Sequence, residues 1–381
     1  MSGINYEEVL DRVKIKIDRA IEKNDPTSVL SQAATTNQAG KYEPDVVDLN
    51  TGIDWTRSFI TGAAALLYYH YKDEKYLDFL KKSFDVYDAF INATEDGHNH
   101  DIGFLYSLYA VAYYEVTGDE NAKKLALRAA DELVKLYRLD AKILCGFAGP
   151  SGPAVVPIVD DYMNIAIAMW AYKVTNHGFY KSVIESDLET RRKYFMREDF
   201  TFRHSYLFNG DKPIGERNYC GYSVGSVWAR GQAWALNGNV NSLVVGGDDN
   251  THFILEGMIN RFFEMLGDKE IPHWDMNCLG LKVAPGIDTS AAVAIISALY
   301  KLSFISDEKY SGVAGEYVER ADKMLDVLIN DYIAPDDNDA ILTGGQAGTT
   351  NVGCVWGDYF FLEALIRKIH GADAPDFWTG K

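Results

Sequence analysis

The sequence predicts an all-α protein of the (α/α)6 toroid class, a closed ring of six helical hairpins. Three observations favour this class. A short polar turn recurs along the chain, the apolar residues on either side of each turn follow helical spacing, and strand-like alternation is scarce. Long loops separate successive hairpins, so that helices following a long loop alternate with helices following a short turn.

The recurring turn sets the helix count. Its centres, Asp73, Asp119, His177, Asp248 and Asp307, are separated by 46, 58, 71 and 59 residues. With a first helix near 6–21 and a last near 356–369, the chain holds about twelve helices. Because single barrel domains often exceed the usual domain length, we expect residues 1–381 to form one catalytic barrel.

The direction of the helices predicts where a site would lie. Alternate helices of such a ring run parallel, so the helices that follow long loops all begin at one mouth of the barrel. Acidic, hydroxyl and aromatic residues occur at or near these predicted starts: Asp54-Trp55, Asp101-Ile102, Asp160-Asp161, Ser226-Val227-Trp228, Asp288-Thr289-Ser290 and Gly357-Asp358.

Helix capping is the ordinary explanation for any one of these residues. A side-chain oxygen at a helix start bonds free backbone N–H groups and stabilises the helix by ~1 kcal/mol relative to alanine. The long loops favour a functional reading for the set, because binding and catalytic residues concentrate on loops held by a rigid scaffold. Helix N-termini also favour anionic ligands.

The composition limits the classes of function. Apolar residues make up 47% of the chain and aromatics 13%, which is enough for a large core. A formal net charge of -18 disfavours binding to nucleic acid or anionic membranes. No apolar run approaches the ~20 residues that span a bilayer, and no secretory leader is recognisable, so we expect a soluble, cytoplasmic protein. The four scattered cysteines are expected to be reduced.

Two aspartates stand out by their context. Asp101 lies in the segment His98-Asn99-His100-Asp101, and Asp160 ends a loop rich in apolar residues. Two carboxyl groups at one mouth raise each other's pKa, so that one can stay protonated near neutral pH and serve as a general acid. Asp160 is the candidate proton donor. A metal triad with His98 and His100 is disfavoured because the ligands are crowded into four residues, and no metal or cofactor is predicted.

The segment Trp228–Trp234 places two indoles, the guanidinium of Arg230 and the amide of Gln232 within about two helical turns. Packing explains one tryptophan readily. Sugars, however, are held by aromatic faces and polar side chains, and arginine suits a carboxylate. We expect Arg230 or Gln232 to contact substrate, with Trp55 and Tyr222 as stacking surfaces.

Together these segments resemble the unsaturated glucuronyl hydrolases of glycoside hydrolase family 88. The resemblance covers almost the whole chain. It rests on these segments, taken in order: Asp54-Trp55-Thr56, His100–Leu108, Val159-Asp160 with Asn164, Trp228–Trp234, Asp288–Ala292 and Val355–Tyr359.

The resemblance implies that the protein removes the unsaturated uronic acid that a polysaccharide lyase leaves at an oligosaccharide's non-reducing end. Asp160 would protonate C4 of the C4–C5 double bond and activate the water that adds at C5. Asp101 would hold the ring hydroxyls and keep Asp160 protonated. The residues expected to contact the sugar are Trp55, His100, Tyr219, Tyr222, Trp228, Arg230, Gln232 and Trp234.

The chain departs from the family pattern at two places. Tyr219-Cys220 stands where the family commonly has His-Gln, and Arg57 stands where Asn commonly follows Asp-Trp-Thr. Both departures are expected near the substrate. The segment 237–247 also lacks the usual apolar pattern for the second half of a helix.

Three alternatives remain open at this stage. One is a hydrolase of unsaturated rhamnogalacturonan or ulvan fragments, which would share the barrel and the mechanism. A sugar 2-epimerase would require paired histidines on inner helices, whereas most of the eight histidines fall in predicted loops or turns. A protein that binds acidic oligosaccharides without turnover would leave the double bond intact.

Overall fold

The fold is a ring of helical hairpins in two concentric layers. The computed structural model describes residues 3–44, 53–93, 98–146, 153–246, 249–278, 286–305 and 313–381. The inner layer consists of α2 (Arg57–Tyr71), α4 (Ile102–Tyr106) continued by a π-helical turn (Ser107–Val111) and α5 (Ala112–Thr117), α7 (Asp161–Asn164) with α8 (Ala166–Thr175), α10 (Ala229–Ser242), α12 (Thr289–Phe304) and α14 (Val355–His370).

The outer layer wraps this ring. It consists of α1 (Tyr6–Lys23), α3 (Glu74–Ala93), α6 (Glu120–Val134), α9 (Gly178–Tyr194), α11 (Asp249–Leu266) and α13 (Ala314–Asp331). Outer helices bury one face, as in α1, whereas inner helices are buried almost all round, as in α10. Each inner helix packs on the next, and α14 packs on α2, which closes the ring. The predicted (α/α)6 toroid is confirmed.

The short turns lie where the sequence placed them in the described part of the chain. Gly118 takes a left-handed conformation that ends α5, and the Asp119 side chain caps α6 by accepting the N–H groups of Asn121 and Ala122. The turns predicted at 246–249 and 306–310 fall wholly or partly outside the described residues.

The long loops contain short β-strands. The antiparallel pairings are β1 (Tyr137–Arg138) with β2 (Ile143–Leu144), β3 (Ala154–Val155) with β4 (Ser205–Asn209), β4 with β5 (Lys212–Arg217), and β6 (Gly345–Ala347) with β7 (Thr349–Val352). Ile158 also bridges Ser205, which ties the loop before α7 to the start of β4.

The second half of α10 is helical although the segment 237–247 lacks the usual apolar pattern. The helix continues to Ser242 and is followed by a 3-10 turn (Leu243–Val245). Its asparagines are buried and bonded: Asn237 donates to the carbonyl of Ala294, and Asn241 accepts from Lys301. The helix is polar here because it borders a buried polar network.

That network lies where the C-terminal segment enters the ring. Phe377 and Trp378 are buried, and the Trp378 ring stacks on Phe360 with centroids 5.8 Å apart. Asp376 accepts from Lys301 Nζ at 2.6 Å and from Thr379 Oγ1 at 2.6 Å. The C-terminal segment is therefore fixed among the inner helices by aromatic packing and a buried ion pair.

Removing this ion pair should destabilise the fold. In Asp376→Ala the ammonium of Lys301 stays buried without its carboxylate, so we expect the free energy of unfolding to fall by about 3 to 5 kcal/mol. Denaturant titration followed by circular dichroism measures the loss. Asp336→Ala is the control, because Asp336 pairs with Arg12 while remaining 84% exposed, and its loss should stay below about 1 kcal/mol. Equal losses in the two variants would contradict the expectation.

No helix in the described ranges is long and apolar enough to cross a membrane.

Candidate active site

The mouth where the inner helices begin brings the predicted carboxylates together. Asp160 precedes α7 without capping it, and within the described residues its Oδ2 atom is buried and has no hydrogen-bond partner. Burial raises the pKa of Asp160 to about 6, and the charges of Asp101 and Asp161 add to this effect against that of His100. Capping therefore does not explain this residue.

Asp101 precedes α4, and its carboxylate likewise does not cap the helix. Its Oδ1 lies 3.5 Å from Nε2 of the buried His100, whose Nδ1 lies 2.6 Å from Oδ1 of Asp161. Burial opposes a charge on His100, but Asp101 and Asp161 raise its pKa to about 9. Burial also raises the pKa of Asp101. His100 thus lies between the carboxylates of Asp101 and Asp161, and its raised pKa favours the charged imidazolium at neutral pH.

Close packing of two helix starts produces this arrangement. A Cβ on Gly103 would lie 2.3 Å from the carbonyl oxygen of Asn164, so only glycine lets α4 approach α7 this closely. The Asn164 side chain accepts the N–H of Phe104 at 2.8 Å. From the outer layer, Arg191 donates to Asp161 Oδ2 at 2.9 Å and holds the start of α7. Burial favours the neutral form of Asp161, but Arg191 and His100 lower its pKa overall.

Arg230 supplies a cation at the same mouth. Its guanidinium carbon lies 4.9 Å from the Trp228 ring centre and 5.1 Å from that of Trp356, so the group is held between two indoles. Nη1 donates to Asp288 Oδ2 at 2.6 Å and to the Gln346 carbonyl at 2.8 Å. Among the described residues, Nη1 alone of the three guanidinium nitrogens is hydrogen-bonded. The planar group is fixed, with donors left for a ligand carboxylate.

Aromatic side chains form the wall and the lip. The partly exposed Trp55 stacks on Trp356 with centroids 5.4 Å apart and an interplanar angle of 22°. Tyr219 is 58% exposed and Tyr222 41% exposed, on the loop after β5. Trp274 donates through Nε1 to the Cys220 carbonyl at 2.7 Å. These rings offer flat apolar surfaces next to the polar donors, which is the combination that sugars require.

Comparison with known proteins decides the family. The model of Glycosyl Hydrolase Family 88 matches residues 29–254. An unsaturated glucuronyl hydrolase of Bacillus sp. (strain GL1) is 30% identical over 346 residues, which cover 87% of this chain and 91% of that protein. The chain belongs to glycosyl hydrolase family 88. It is therefore a glycoside hydrolase, as the motifs predicted.

Two further comparisons place the family 88 chain among its relatives. An unsaturated chondroitin disaccharide hydrolase of Streptococcus agalactiae serotype III is 27% identical, covering 93% of this chain and 92% of that protein. The crystal structure of the Bacillus sp. GL1 unsaturated glucuronyl hydrolase, described as responsible for the degradation of glycosaminoglycan, superposes with a TM-score of 0.87. That structure is 26% identical and covers 99% of this chain and 98% of its own.

Most of the predicted site residues meet at the mouth of this family 88 barrel. On one side His100 contacts Asp101, and the charges of both act on Asp160. On the other side Arg230 contacts Trp228 and, through Trp356, is linked to Trp55. Tyr219 and Tyr222 lie on the exposed lip. His100, expected to contact the sugar, is 1% exposed, and its ring nitrogens face Asp101 and Asp161.

Three side chains that were expected at or near the substrate are bonded or packed elsewhere. The Gln232 amide is buried and bonds both backbone groups of Phe202, accepting at 2.7 Å and donating at 2.9 Å. Trp234 is 1% exposed and packs on Phe104 and Phe360 in the core. Arg57, expected near the substrate, instead donates to the carbonyl of Leu30 at 2.7 Å. These side chains support the fold near the mouth.

The metal alternative gains no support from the histidines. His98 packs on the Phe90 ring, with centroids 5.1 Å apart, and its Nε2 lies 3.3 Å from the carbonyl of Ile91. His100 instead faces Asp101 and Asp161. In the described ranges, no cluster of three histidine, cysteine or acidic side chains suits a metal ion.

Sequence reasoning missed His204 and Trp356 as site residues. His204 is 5% exposed, and its Nε2 lies 3.9 Å from Asp160 Oδ2. Trp356 lies between Trp55 and Arg230. His204 carries no local sequence signal, because a strand pairing brings it to the site. Trp356 lies in the segment Val355–Tyr359, and its position in the first turn of an inner helix was the available signal.

Proposed function

We propose that the protein hydrolyses the bond between a non-reducing-end unsaturated uronic acid and the next sugar of a lyase-generated oligosaccharide. The observation that carries the proposal is Asp160, a buried carboxyl with an unbonded oxygen and a pKa raised to about 6, at a mouth that also holds the Arg230 guanidinium. A carboxyl of this kind is protonated in part near neutral pH and can act as a general acid.

The proposed reaction begins with transfer of the Asp160 proton to C4 of the double bond. The resulting cation at C5 is shared with the ring oxygen. Water then forms a bond to C5 and gives a proton to the Asp160 carboxylate, which restores the acid. The C5 hemiketal then opens: its hydroxyl becomes a ketone, the bond from C5 to the ring oxygen breaks, and the ring oxygen takes up the proton. The hemiacetal that this leaves at C1 collapses to an aldehyde, and the leaving sugar takes the proton with it.

The surrounding groups support these steps. Asp101 disfavours ionisation of Asp160 through its charge and, by analogy with the family, holds ring hydroxyls. His100 stays charged behind Asp101 and keeps that carboxylate oriented. Trp55 offers a ring face to the sugar, and no cofactor is needed. We also propose that the whole chain acts as one catalytic barrel, because helices from α1 to α14 close a single ring.

The names of the relatives suggest the substrate class. They act on unsaturated glucuronyl or chondroitin disaccharide substrates, so we propose a glycosaminoglycan fragment for this chain. The test mixes the purified protein with unsaturated chondroitin, hyaluronan and heparin disaccharides and follows the ultraviolet absorbance of the double bond. Loss of absorbance supports the proposal. A folded protein that is inactive on all three but active on rhamnogalacturonan or ulvan fragments overturns the glycosaminoglycan assignment, and binding without any loss of absorbance overturns the enzymatic one.

Arg230 is proposed to bind the uronate carboxylate. In Arg230→Lys the charge is kept but the planar pair of donors is lost, so we expect KM to rise by about 10-fold or more, with a smaller change in kcat. Steady-state kinetics on the best disaccharide measures both constants. The control is Arg320→Lys on α13, which pairs with Glu316 on the outer layer and should leave KM unchanged. An unchanged KM in Arg230→Lys would remove Arg230 from the binding site.

A further inference from the structure

His204 is fixed beside the proton donor by the backbone on two sides. Its carbonyl accepts the N–H of Val159, the residue before Asp160, at 2.8 Å. Its Nδ1 accepts the N–H of Tyr219 at 3.0 Å and that of Cys220 at 3.2 Å. The imidazole therefore joins the loop that ends at Asp160 to the lip loop after β5.

These bonds determine the tautomer of His204. Nδ1 serves as an acceptor for two backbone N–H groups, so the ring proton of the neutral form resides on Nε2. Burial lowers the pKa of His204 to about 4; a hydrogen bond with the Asn218 side chain opposes this effect, and the charge of the nearby Arg230 adds to it. The ring is neutral at neutral pH, and its lone pair is occupied. His204 can donate a hydrogen bond through Nε2 but cannot act as a base.

The distance between the side chains of His204 and Asp160 suggests what the Nε2–H group of His204 binds. Nε2 lies 3.9 Å from Asp160 Oδ2, which is too long for a hydrogen bond. A single oxygen atom at ordinary hydrogen-bond distance from both groups spans such a gap. The Trp228 ring, 4.7 Å from the imidazole centre, and the Tyr219 ring, at 5.5 Å, restrict rotation of His204.

We propose that His204 is a positioning residue whose Nε2–H, together with Asp160 Oδ2, holds the water that adds at C5. This inference rests on the proposed hydrolase function. The water accepts from Nε2–H, donates to the Asp160 carboxylate formed in the first step, and directs its remaining lone pair to C5. As the C5–O bond forms, the donated proton passes to Asp160, and His204 keeps its own proton. The lip segment Tyr219-Cys220 thereby sets the orientation of the water.

Two substitutions of His204 distinguish its role as a hydrogen-bond donor to water from its role in holding the lip loop. In His204→Asn the short amide can accept the lip N–H groups in place of Nδ1 but does not reach the Nε2 position. In His204→Gln the longer amide can place an N–H near the Nε2 position but loses the acceptor. We expect kcat to fall about 100-fold in His204→Asn with KM changed less than about 3-fold. His204→Gln should retain at least about ten times the kcat of His204→Asn, with a larger rise in KM.

The kinetics use unsaturated disaccharides, with wild-type protein in parallel and circular dichroism as the check on folding. Equal or higher kcat in His204→Asn than in His204→Gln overturns the water-positioning role, because the lip contact alone would then matter. If His204→Asn does not fold, Nε2-methylhistidine at position 204 removes the same proton, and wild-type kcat in that protein overturns the proposal. An inactive wild type instead overturns the hydrolase function itself.

Discussion

Asp160→Asn is expected to lose about 10³-fold or more in kcat on the unsaturated disaccharides. The amide has nearly the shape of the carboxyl, but it cannot give a proton to C4 or take one from water, so both chemical steps fail. Substrate binding should survive, because the Arg230 and Trp55 surfaces are unchanged. Ultraviolet absorbance measures turnover, and calorimetric titration with a disaccharide measures binding to the inactive variant.

The matched control for this substitution is Asp211→Asn, at the exposed tip between β4 and β5. It makes the same chemical change at an exposed turn and should keep wild-type kcat. If Asp160→Asn retained more than a tenth of wild-type kcat, the proton donor would have to be sought elsewhere at the mouth. Asp101, the other carboxyl that does not cap its helix, would be the next candidate.

Asp101→Asn is expected to lower activity at neutral pH by about 100-fold and to change its pH dependence. Asp160 must be protonated to react, and its pKa is raised to about 6, so wild-type kcat/KM should fall as the pH rises through about 6. Asp101 helps to raise that pKa, so removing its charge lowers the pKa of Asp160 and moves the alkaline fall to lower pH.

A pH profile of kcat/KM for wild type, Asp101→Asn and Asp268→Asn tests this effect. Asp268 is exposed after α11, so its substitution should leave the profile in place. A shift of the alkaline fall to higher pH in Asp101→Asn, or no shift, would show that Asp101 does not help to keep Asp160 protonated. Loss of activity without any shift would limit Asp101 to binding the sugar.

The fold could be predicted because its signals are local and repeated. Helical spacing recurs along the whole chain and a polar turn recurs five times, and the parallel direction of the inner helices follows from the ring. Asp101 and Asp160 were then predictable as residues at the same mouth. What the sequence left undecided was whether they cap their helices, and the structure answers this because neither side chain bonds the backbone of its helix start.

The remaining site residues depend on angles and pairings that local patterns do not reveal. Arg230 and Gln232 are two positions apart on α10, so they lie on opposite sides of the helix, and only Arg230 faces the mouth. Trp234 lies one turn below Arg230, on the same side but inside the core. His204 reaches Asp160 through the pairing of two distant loops, 44 residues apart in sequence.

The buried C-terminal segment bears on which part of a substrate chain can reach the proposed site. Trp378 packs against Phe104, with ring centroids 5.8 Å apart, and Phe104 in turn packs against Trp55 at the mouth, at 5.4 Å. Aromatic rings in edge-to-face and tilted contact thus run from the C-terminal segment to Trp55 at the mouth. If these rings close the mouth from below, only a chain end can reach Asp160, and both products must leave on the side where the substrate entered. The proposed hydrolase would then trim one terminal sugar for each encounter.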